Sequence, residues 1–108
     1  MKINKIKEFN KGWFIGNFEP TLIKTDAFEC AAKFYAAGDA EAKHTHKEAC
    51  EITVVGEGEI EMLGRRFHKG DVIFLDPGES ADFTAVTAAL TFVVKMPSVI
   101  GDKYISEE

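Results

Sequence analysis

Two histidines and a glutamate lie close together in the segment from His44 to Glu51. His44 and His46 are two residues apart, and Glu51 follows His46 by five residues. In an extended strand, residues i and i+2 point to the same face, about 6–7 Å apart at a rise of about 3.3 Å per residue. Two imidazoles at that separation can tilt toward one cation, because metal–nitrogen bonds are about 2.0–2.1 Å long. A glutamate oxygen would complete the two-histidine, one-carboxylate set used for iron and similar divalent metals.

The two histidines do not establish a metal site by themselves. An exposed pair of histidines in a protein of net charge −5 can be without any ligand. Glu51 can likewise be a solvated carboxylate on a strand. If Glu51 faces an interior instead, leaving it unpaired would be costly, and a cation becomes its favoured partner. The surrounding elements therefore decide between the two interpretations.

Length and composition limit the function classes. A chain of 108 residues has the length of one domain. Acids and bases are mixed along it, without the basic stripe that nucleic-acid binding needs. No apolar run approaches the roughly 20 residues that span a bilayer, and residues 1–5 lack the apolar core of a signal peptide. We expect a cytoplasmic protein that binds neither nucleic acid nor membrane.

The two cysteines, Cys30 and Cys50, do not form a recognisable motif. There is no Cys-x-x-Cys pair, which disfavours a structural zinc site. A cytosolic protein of this size seldom needs a disulfide. We expect both residues to act as small, buried apolar side chains.

The elements around the histidines are predicted to be strands. Short apolar or alternating stretches occur at near-regular spacing with glycine turns between them, and no window of ten or more residues shows a clean 3.6-residue period. This pattern is typical of an all-β sandwich or barrel. Residues 1–11 are predicted to be a lead-in or edge strand. Residues 51–55 and 59–63 are predicted to pair as a hairpin across Gly56 and Gly58.

Residues 27–36 alternate with a period of two. One face carries Phe28, Cys30, Ala32 and Phe34; the other carries Glu29, Ala31, Lys33 and Tyr35. Because one face of such a strand packs on a core, the charged face is predicted to point outward.

Glycine placement adds a family resemblance. The spacing Gly38-x5-His44-x-His46-x4-Glu51-x6-Gly58 resembles the first motif of the cupin superfamily in every fixed position.

Downstream, residues 70–85 resemble the second cupin motif, Gly-x5-Pro-x-Gly-x2-His-x3-Asn. Gly70 and Gly78 fit its spacing, whereas Asp76 holds its proline position and Pro77 follows one place later. The two motifs together span residues 38–85.

The resemblance implies a single cupin domain over residues 1–108. This would be a small jelly-roll barrel with the first motif at 38–58, the second at 70–85 and lead-in strands within 1–26. Its mouth would hold a divalent metal, iron, manganese, nickel or zinc, on His44, His46 and Glu51. A small molecule would be its ligand, and a homodimer is expected.

The resemblance fails at two positions of the second motif. The fourth metal ligand of the family, a histidine, falls on Ala81, and its asparagine falls on Ala85. Asp82 is a weak substitute because a regular strand points it away from the direction of Ala81. His68, the remaining histidine, precedes a glycine turn and is expected at a surface end of the barrel.

Other polar and aromatic residues have simpler interpretations. Arg65 and Arg66 are expected to be an exposed turn pair, with an anion as the alternative partner. Tyr35 is expected at a rim or interface. The large aromatic residues are expected in the core or in dimer contacts, with stacking at the mouth as an alternative: Trp13, Phe14, Phe18, Phe74, Phe83 and Phe92.

Three functions remain open on the sequence. The first is a metal-dependent enzyme or binder of small molecules; as an enzyme it would be of dioxygenase or isomerase type. The second is a metal-free or non-catalytic module for a sugar or small acid, acting as a homodimer. The third is a dimeric scaffold, which the apolar segment 96–100 would suit through strand exchange. No general base is evident beyond the proposed ligands.

Overall fold

Strands dominate the structure. The computed structural model describes residues 1–106, and within them eleven strands are preceded by two short 3-10 turns, Ile6–Glu8 and Asn10–Gly12. The strands are β1 (Trp13–Gly16), β2 (Ile23–Lys24), β3 (Glu29–Tyr35), β4 (Ala40–Thr45), β5 (Cys50–Glu57), β6 (Glu59–Met62), β7 (Arg65–His68), β8 (Val72–Leu75), β9 (Ser80–Ala85), β10 (Ala89–Met96) and β11 (Tyr104–Ile105).

The strands form two sheets. The six-stranded sheet has the order β2-β1-β3-β10-β5-β8, and the five-stranded sheet has the order β11-β4-β9-β6-β7. β1 pairs with β2 in parallel, while the remaining pairs between described strands are antiparallel. The prediction of an all-β jelly roll is confirmed.

The hydrophobic core lies between the two sheets, toward one end. Alternate residues of facing strands point inward, as the pleat requires. The buried cluster draws on β5, β6, β9 and β10: Val55, Ile60, Met62, Ala81, Phe83, Ala85 and Ala89. The polar side chains described below converge at the other end of the interior.

The predicted orientation of β3 is wrong. Lys33 points inward with a side chain only 15% exposed, and Ala31 on the same face is fully buried. Phe34, on the face predicted to be internal, is 67% exposed. Alternation identifies two faces but not which one is inside. Here ion pairs inside the barrel reverse the usual choice.

The predicted hairpin across Gly56 and Gly58 is also wrong. β5 lies in the six-stranded sheet and β6 in the five-stranded sheet, so the chain changes sheets at Gly58. Gly58 has a φ of +81°, and a Cβ there would lie 2.2 Å from the Ala88 carbonyl oxygen. Only glycine fits this crossing. β6 instead pairs with β7.

The strand predicted over residues 1–11 does not form. The Glu8 carboxylate accepts hydrogen bonds from the Lys5 backbone N–H at 3.1 Å and from the Asn4 side chain at 2.9 Å. Such local bonds favour a turn over a strand. The lead-in strands begin at Trp13. Neither helical turn among the described residues has the length or apolar character to cross a bilayer.

The two cysteines are free thiols and half-buried rather than buried. Cys30 lies on the outward-facing side of β3, opposite Val94 of β10. Burial raises the pKa of the Cys30 thiol, which favours its protonated, less reactive form.

Candidate metal centre

His44, His46 and Glu51 converge at one end of the barrel. One ligand atom from each lies within 4.8 Å of the others. His44 is on β4, His46 follows the end of that strand, and Glu51 is on β5 of the opposite sheet. His46 is buried, and the other two are half-buried. The cluster therefore bridges the two sheets at the mouth.

A bulge in β4 aims His44 into the interior. Glu41 pairs with Phe83 and His44 pairs with Ala81, so three steps along β4 match two along β9. Without the extra residue, Glu41 and His44 would point to opposite faces. With it, both lie on the inner face, as bulges beside functional sites often arrange.

Backbone carbonyls fix the orientation of both imidazoles. The Nδ1 of His44 lies 2.9 Å from the Ala42 carbonyl oxygen, and the Nδ1 of His46 lies 2.6 Å from that of Asp102. A carbonyl oxygen only accepts, so each Nδ1 carries the proton and donates it. This leaves both Nε2 lone pairs available, the arrangement typical of metal-binding histidines.

The contact between His46 and Glu51 calls for a cation. His46 Nε2 lies 3.2 Å from Glu51 Oε2. With Nδ1 donating to Asp102, an unprotonated Nε2 would place a lone pair against a carboxylate. A proton on Nε2 or a metal ion shared by the two groups removes that conflict. The donor set of two imidazole nitrogens and one carboxylate oxygen fits a divalent transition metal.

The pKa values favour the forms that ligate metals. Burial lowers the pKa of His44, against the opposing effect of its bond to the Ala42 carbonyl, so neutral imidazole is favoured. Burial alone would raise the pKa of Glu51. A hydrogen bond from a protonated His46 Nε2, with the charges of His46 and Lys95, outweighs it and brings the Glu51 pKa below its ordinary value. A metal ion shared by the two groups would take the place of that proton.

Asp102 holds the loop between the ligands, a role that the sequence did not reveal. Its buried carboxylate accepts backbone N–H bonds from Lys47, Glu48 and Ala49 at 2.9–3.2 Å. Burial opposes ionisation of Asp102, but these three donors keep its pKa below the usual range. The backbone carbonyl of the same residue accepts a hydrogen bond from His46 Nδ1. No signal in residues 96–106 distinguishes this aspartate from a solvated one.

Ala81 occupies the position at which the second cupin motif has its fourth metal ligand. Ala81 is buried directly opposite His44 on the neighbouring strand, and its methyl group offers no donor atom. Asp82 points away, as expected, and accepts the Leu63 backbone N–H at 2.8 Å. Ala85 is fully buried in the core.

His68 and the two arginines lie apart from the three-residue cluster. The exposed side chain of His68 contacts Glu59 at 2.8 Å. Arg66 is exposed and contacts Glu59 and Glu61 on the neighbouring strand. Both arginines belong to β7 rather than to a turn.

A cavity of about 250 Å³ opens beside the three-residue cluster. Its lining combines apolar side chains, among them Met62, Leu75 and Phe83, with polar ones. Tyr35 packs against Phe83 and donates a hydrogen bond from its hydroxyl to Glu41 at 2.7 Å. Tyr35 is therefore half-buried on the cavity wall. The polar side chains of the lining on the inner strands are Lys33, Tyr35, Glu41, Thr53, Thr91 and Lys95.

The structure is similar to solved structures of double-stranded β-helix proteins. An uncharacterised conserved protein from Klebsiella pneumoniae with such a domain aligns over 99% of this chain and 93% of its own, with a TM-score of 0.73 and 18% identity. The DMSP lyase DddQ from Ruegeria pomeroyi aligns over 87% of this chain, with a TM-score of 0.70 and 22% identity; the match covers 49% of DddQ.

A third similar structure is described as a cupin. This sugar phosphate isomerase from Silicibacter pomeroyi aligns over 76% of this chain and 58% of its own, with a TM-score of 0.67 and 20% identity. At these identities the likeness establishes the fold, which is the double-stranded β-helix fold that the resemblance to cupins predicts. Neither a family model nor a curated protein matches the sequence.

Proposed function

From the cupin fold of this chain, we propose that it is a metal-binding cupin that binds or transforms a small molecule at the barrel mouth. His44, His46 and Glu51 would hold one divalent ion, iron, manganese, nickel or zinc. The supporting observation is the pair of Nε2 atoms, each freed by a Nδ1–carbonyl bond, beside a carboxylate on the facing sheet. Three protein ligands leave positions for water or ligand.

The remaining chemistry would come from the cavity wall. A bound divalent ion would supply Lewis acidity toward an oxygen of the ligand. Met62, Leu75 and Phe83 would exclude water where they line the cavity. The Tyr35 hydroxyl and Glu41 form the hydrogen-bonded pair that can hold a proton there. Burial and the charge of Glu41 raise the pKa of Tyr35, which keeps this hydroxyl a donor.

The proposed function includes two candidates, an enzyme and a protein that binds its ligand without a reaction. The names of the two characterised neighbours above, a lyase and an isomerase, describe different reactions, and the fold does not select among reactions. The absent fourth histidine favours the second candidate, a non-catalytic or metal-free module for a small acid or sugar. Oxygen uptake with a panel of keto acids, diols and thiols would detect a dioxygenase.

Metal analysis tests the proposal directly. Protein purified without a histidine tag should contain a near-stoichiometric amount of iron, manganese, nickel or zinc by elemental analysis. His44→Ala and His46→Ala should each weaken metal affinity more than about 100-fold, because losing a hydrogen-bond partner of a ligand already costs about 10–100-fold.

The chain offers its own control. His68→Ala removes the third histidine, which is exposed and bonded to Glu59, and should leave the metal content unchanged. A protein that neither contains an ion nor takes one up at micromolar concentration would refute the metal assignment. An equal loss of metal in His68→Ala would refute the choice of ligands.

We also propose that the protein is a homodimer joined through the outer face of the six-stranded sheet. This face carries contiguous rows of apolar residues and no charged side chain in its central rows: Cys30, Ala32, Phe34, Ile52, Val54, Val72, Phe74, Phe92 and Val94. The same face of a second copy matches it in chemistry, and such a self-complementary contact closes with two-fold symmetry.

A further inference from the structure

Two lysines line the cavity beside the proposed metal centre. Lys33 on β3 and Lys95 on β10 both point inward, each with a side chain 15% exposed. Lys95 pairs in register with Glu51 on β5, so it is the immediate neighbour of a proposed metal ligand. Lysine is rarely buried to this extent unless its charge is compensated.

Each lysine has one acidic partner and retains bonding capacity. Lys33 Nζ lies 3.6 Å from Glu41 Oε2, and Lys95 Nζ lies 3.2 Å from Glu29 Oε1. An ammonium group has three donors, so one contact leaves others for a ligand. Burial lowers the pKa of Lys33 and Glu41 counteracts it, so the compensation of Lys33 is incomplete.

Both ammonium groups meet at one aromatic ring. The Nζ of Lys33 lies 5.2 Å, and that of Lys95 4.7 Å, from the centre of the Trp13 ring. Cations at these distances are attracted to the ring face. Trp13 thus gathers the two lysines on one part of the cavity wall, within reach of one small ligand.

A buried hydroxyl lies behind the same wall. Thr91 is 0% exposed, and its Oγ1 makes no hydrogen bond of normal geometry with the residues that the structure describes. It pairs in register with Lys33, and its nearest polar neighbour is the Tyr35 hydroxyl, an interaction that lowers the pKa of Tyr35 against the larger effect of burial. Buried polar groups are almost always hydrogen-bonded, so this part of the barrel holds a weakly satisfied polar group next to the two lysines.

The charges of the wall favour an anion once a metal is present. The inward lysines, Lys33 and Lys95, are balanced by Glu41 and Glu51 on the cavity lining. Among the exposed lining residues, Lys11 and Lys103 are matched by Asp76 and Glu79, and the carboxylate of Asp82 is turned to the Leu63 backbone. Glu29 lies behind Lys95. The lining is therefore slightly acidic without metal, and a divalent ion makes its inner part positive.

We propose that the ligand is a small dianion with two anionic oxygen groups, one at the metal and the other at the Lys33–Lys95 pair beside Trp13. The second group is a carboxylate or a phosphate. This inference rests on the proposed function for the first of these two positions. The cavity of about 250 Å³ limits the ligand to less than drug size, since such sites measure about 300–1,000 Å³.

Trp13 is a built-in reporter because it is the single tryptophan of the chain. Metal-loaded protein is titrated with succinate, with succinamate, and with 3-phosphonopropionate, and binding is followed by Trp13 emission and by calorimetry. Succinamate replaces one carboxylate by an amide of the same size. Succinate should bind about tenfold or more tightly than succinamate, because a charge-assisted hydrogen bond is lost. Tighter binding of 3-phosphonopropionate than succinate would identify the second group as a phosphate.

Charge-neutral double variants locate the subsite. Lys33→Met/Glu41→Gln and Lys95→Met/Glu29→Gln each remove a cation with its nearest acid, so net charge is unchanged. Glu51, which Lys95 also stabilises, keeps His46 and the loaded metal as partners, and elemental analysis of each variant measures that metal. Each should reduce the preference for succinate at least severalfold. Lys24→Met/Glu19→Gln changes an exposed pair of the same kind, 3.8 Å apart, and should preserve it. Circular dichroism of each variant establishes that it folds.

The two proposals fail in different ways. If the protein holds metal but succinate and succinamate bind equally, the dianion inference is refuted and the metal centre stands. A preference for succinate that survives in both lysine variants also refutes the subsite. If elemental analysis finds no metal and none can be loaded, the proposed function fails first, whatever the titrations show.

Discussion

The two faces of the six-stranded sheet differ in a way opposite to the usual one, with charged side chains inside and apolar side chains outside. The inner face carries Glu29, Lys33 and Lys95 beside the cavity, whereas the outer face exposes Phe34 and Phe92. In most sheets that pack on one side, the charged face is solvated and the apolar face is internal. Packing of one face against the other sheet therefore does not by itself explain where the charged and apolar side chains of this sheet lie.

The difference supports the proposal that each face has a partner, a ligand inside the barrel and a second copy outside. A buried charge is tolerated when it is paired, and the inner lysines are held by glutamates and by the Trp13 ring. An apolar face of this size on a monomer would be unusual and marks an interaction surface. The inner face is thus suited to a polar ligand and the outer face to another protein surface.

Breaking the outer face should have the largest effect. Phe92 lies in the middle of this face, on the central strand β10. Phe92→Glu should convert the proposed homodimer to a monomer, since a central aromatic contact contributes about 2–4 kcal/mol, or roughly 30–1,000-fold in Kd. Light scattering coupled to size exclusion measures the change.

A second exposed apolar residue provides the control. Leu63 is 49% exposed in the turn between β6 and β7, on the other sheet. Leu63→Glu should leave the dimer intact. A wild-type protein that is monomeric at high micromolar concentration would refute the homodimer, and dissociation by Leu63→Glu would place its interface elsewhere.

The sequence predicted the fold class and the convergence of one cluster, but not which face is internal. The spacing of His44 and His46 and the resemblance of His44, His46 and Glu51 to the first cupin motif predicted that these three residues converge. Alternation along β3 is equally consistent with either orientation. The sequence pattern places Lys33 in solvent. Its partner Glu41 lies on the other sheet, and the alternation along β3 gives no sign of that ion pair.

The rest of the site depends on local irregularities and on long-range contacts. A one-residue bulge places Glu41 on the same face as His44, and a regular strand would have separated them. Asp102 reaches the ligand loop from a segment more than fifty residues away. Neither feature has a signature in residue type or period, so the sequence could not assign either residue to the site.

Neutralising the internal Glu41 tests the ion pair on the inner face and should have an effect of intermediate size. Glu41→Gln should reduce the free energy of unfolding by about 1–3 kcal/mol at neutral pH, because Lys33 loses its paired charge. Burial raises the pKa of Glu41, but Lys33 and Tyr35 lower it further, to a net value below the ordinary one. Its contribution is therefore complete above about pH 4.3 and is lost as the pH falls below that value.

Urea unfolding at pH 7 and pH 3.5 measures this difference. The gap between wild type and Glu41→Gln should narrow at the lower pH. Glu57→Gln breaks an exposed pair with Lys69, 2.9 Å apart, and should change stability by less than about 0.5 kcal/mol. Equal effects of the two substitutions would mean that the internal pair is no stronger than a surface pair.

The smallest change tests whether the inner face is kept polar at the expense of stability. Thr91→Val replaces a fully buried hydroxyl, which has no hydrogen bond of normal geometry and only a weak interaction with Tyr35, by a methyl group of the same shape. The ligand-free protein should become more stable by about 1 kcal/mol, since an unsatisfied buried donor costs about that much. Thermal and urea unfolding measure the gain.

Thr45→Val gives the opposite case. The Thr45 hydroxyl is bonded to that of Ser80, so its removal should lower stability by about 1 kcal/mol. If Thr91→Val is destabilising as well, the Thr91 hydroxyl is satisfied within the protein through its interaction with Tyr35. A gain at Thr91 with a loss at Thr45 would show that the cavity wall retains a polar group that the fold alone does not need.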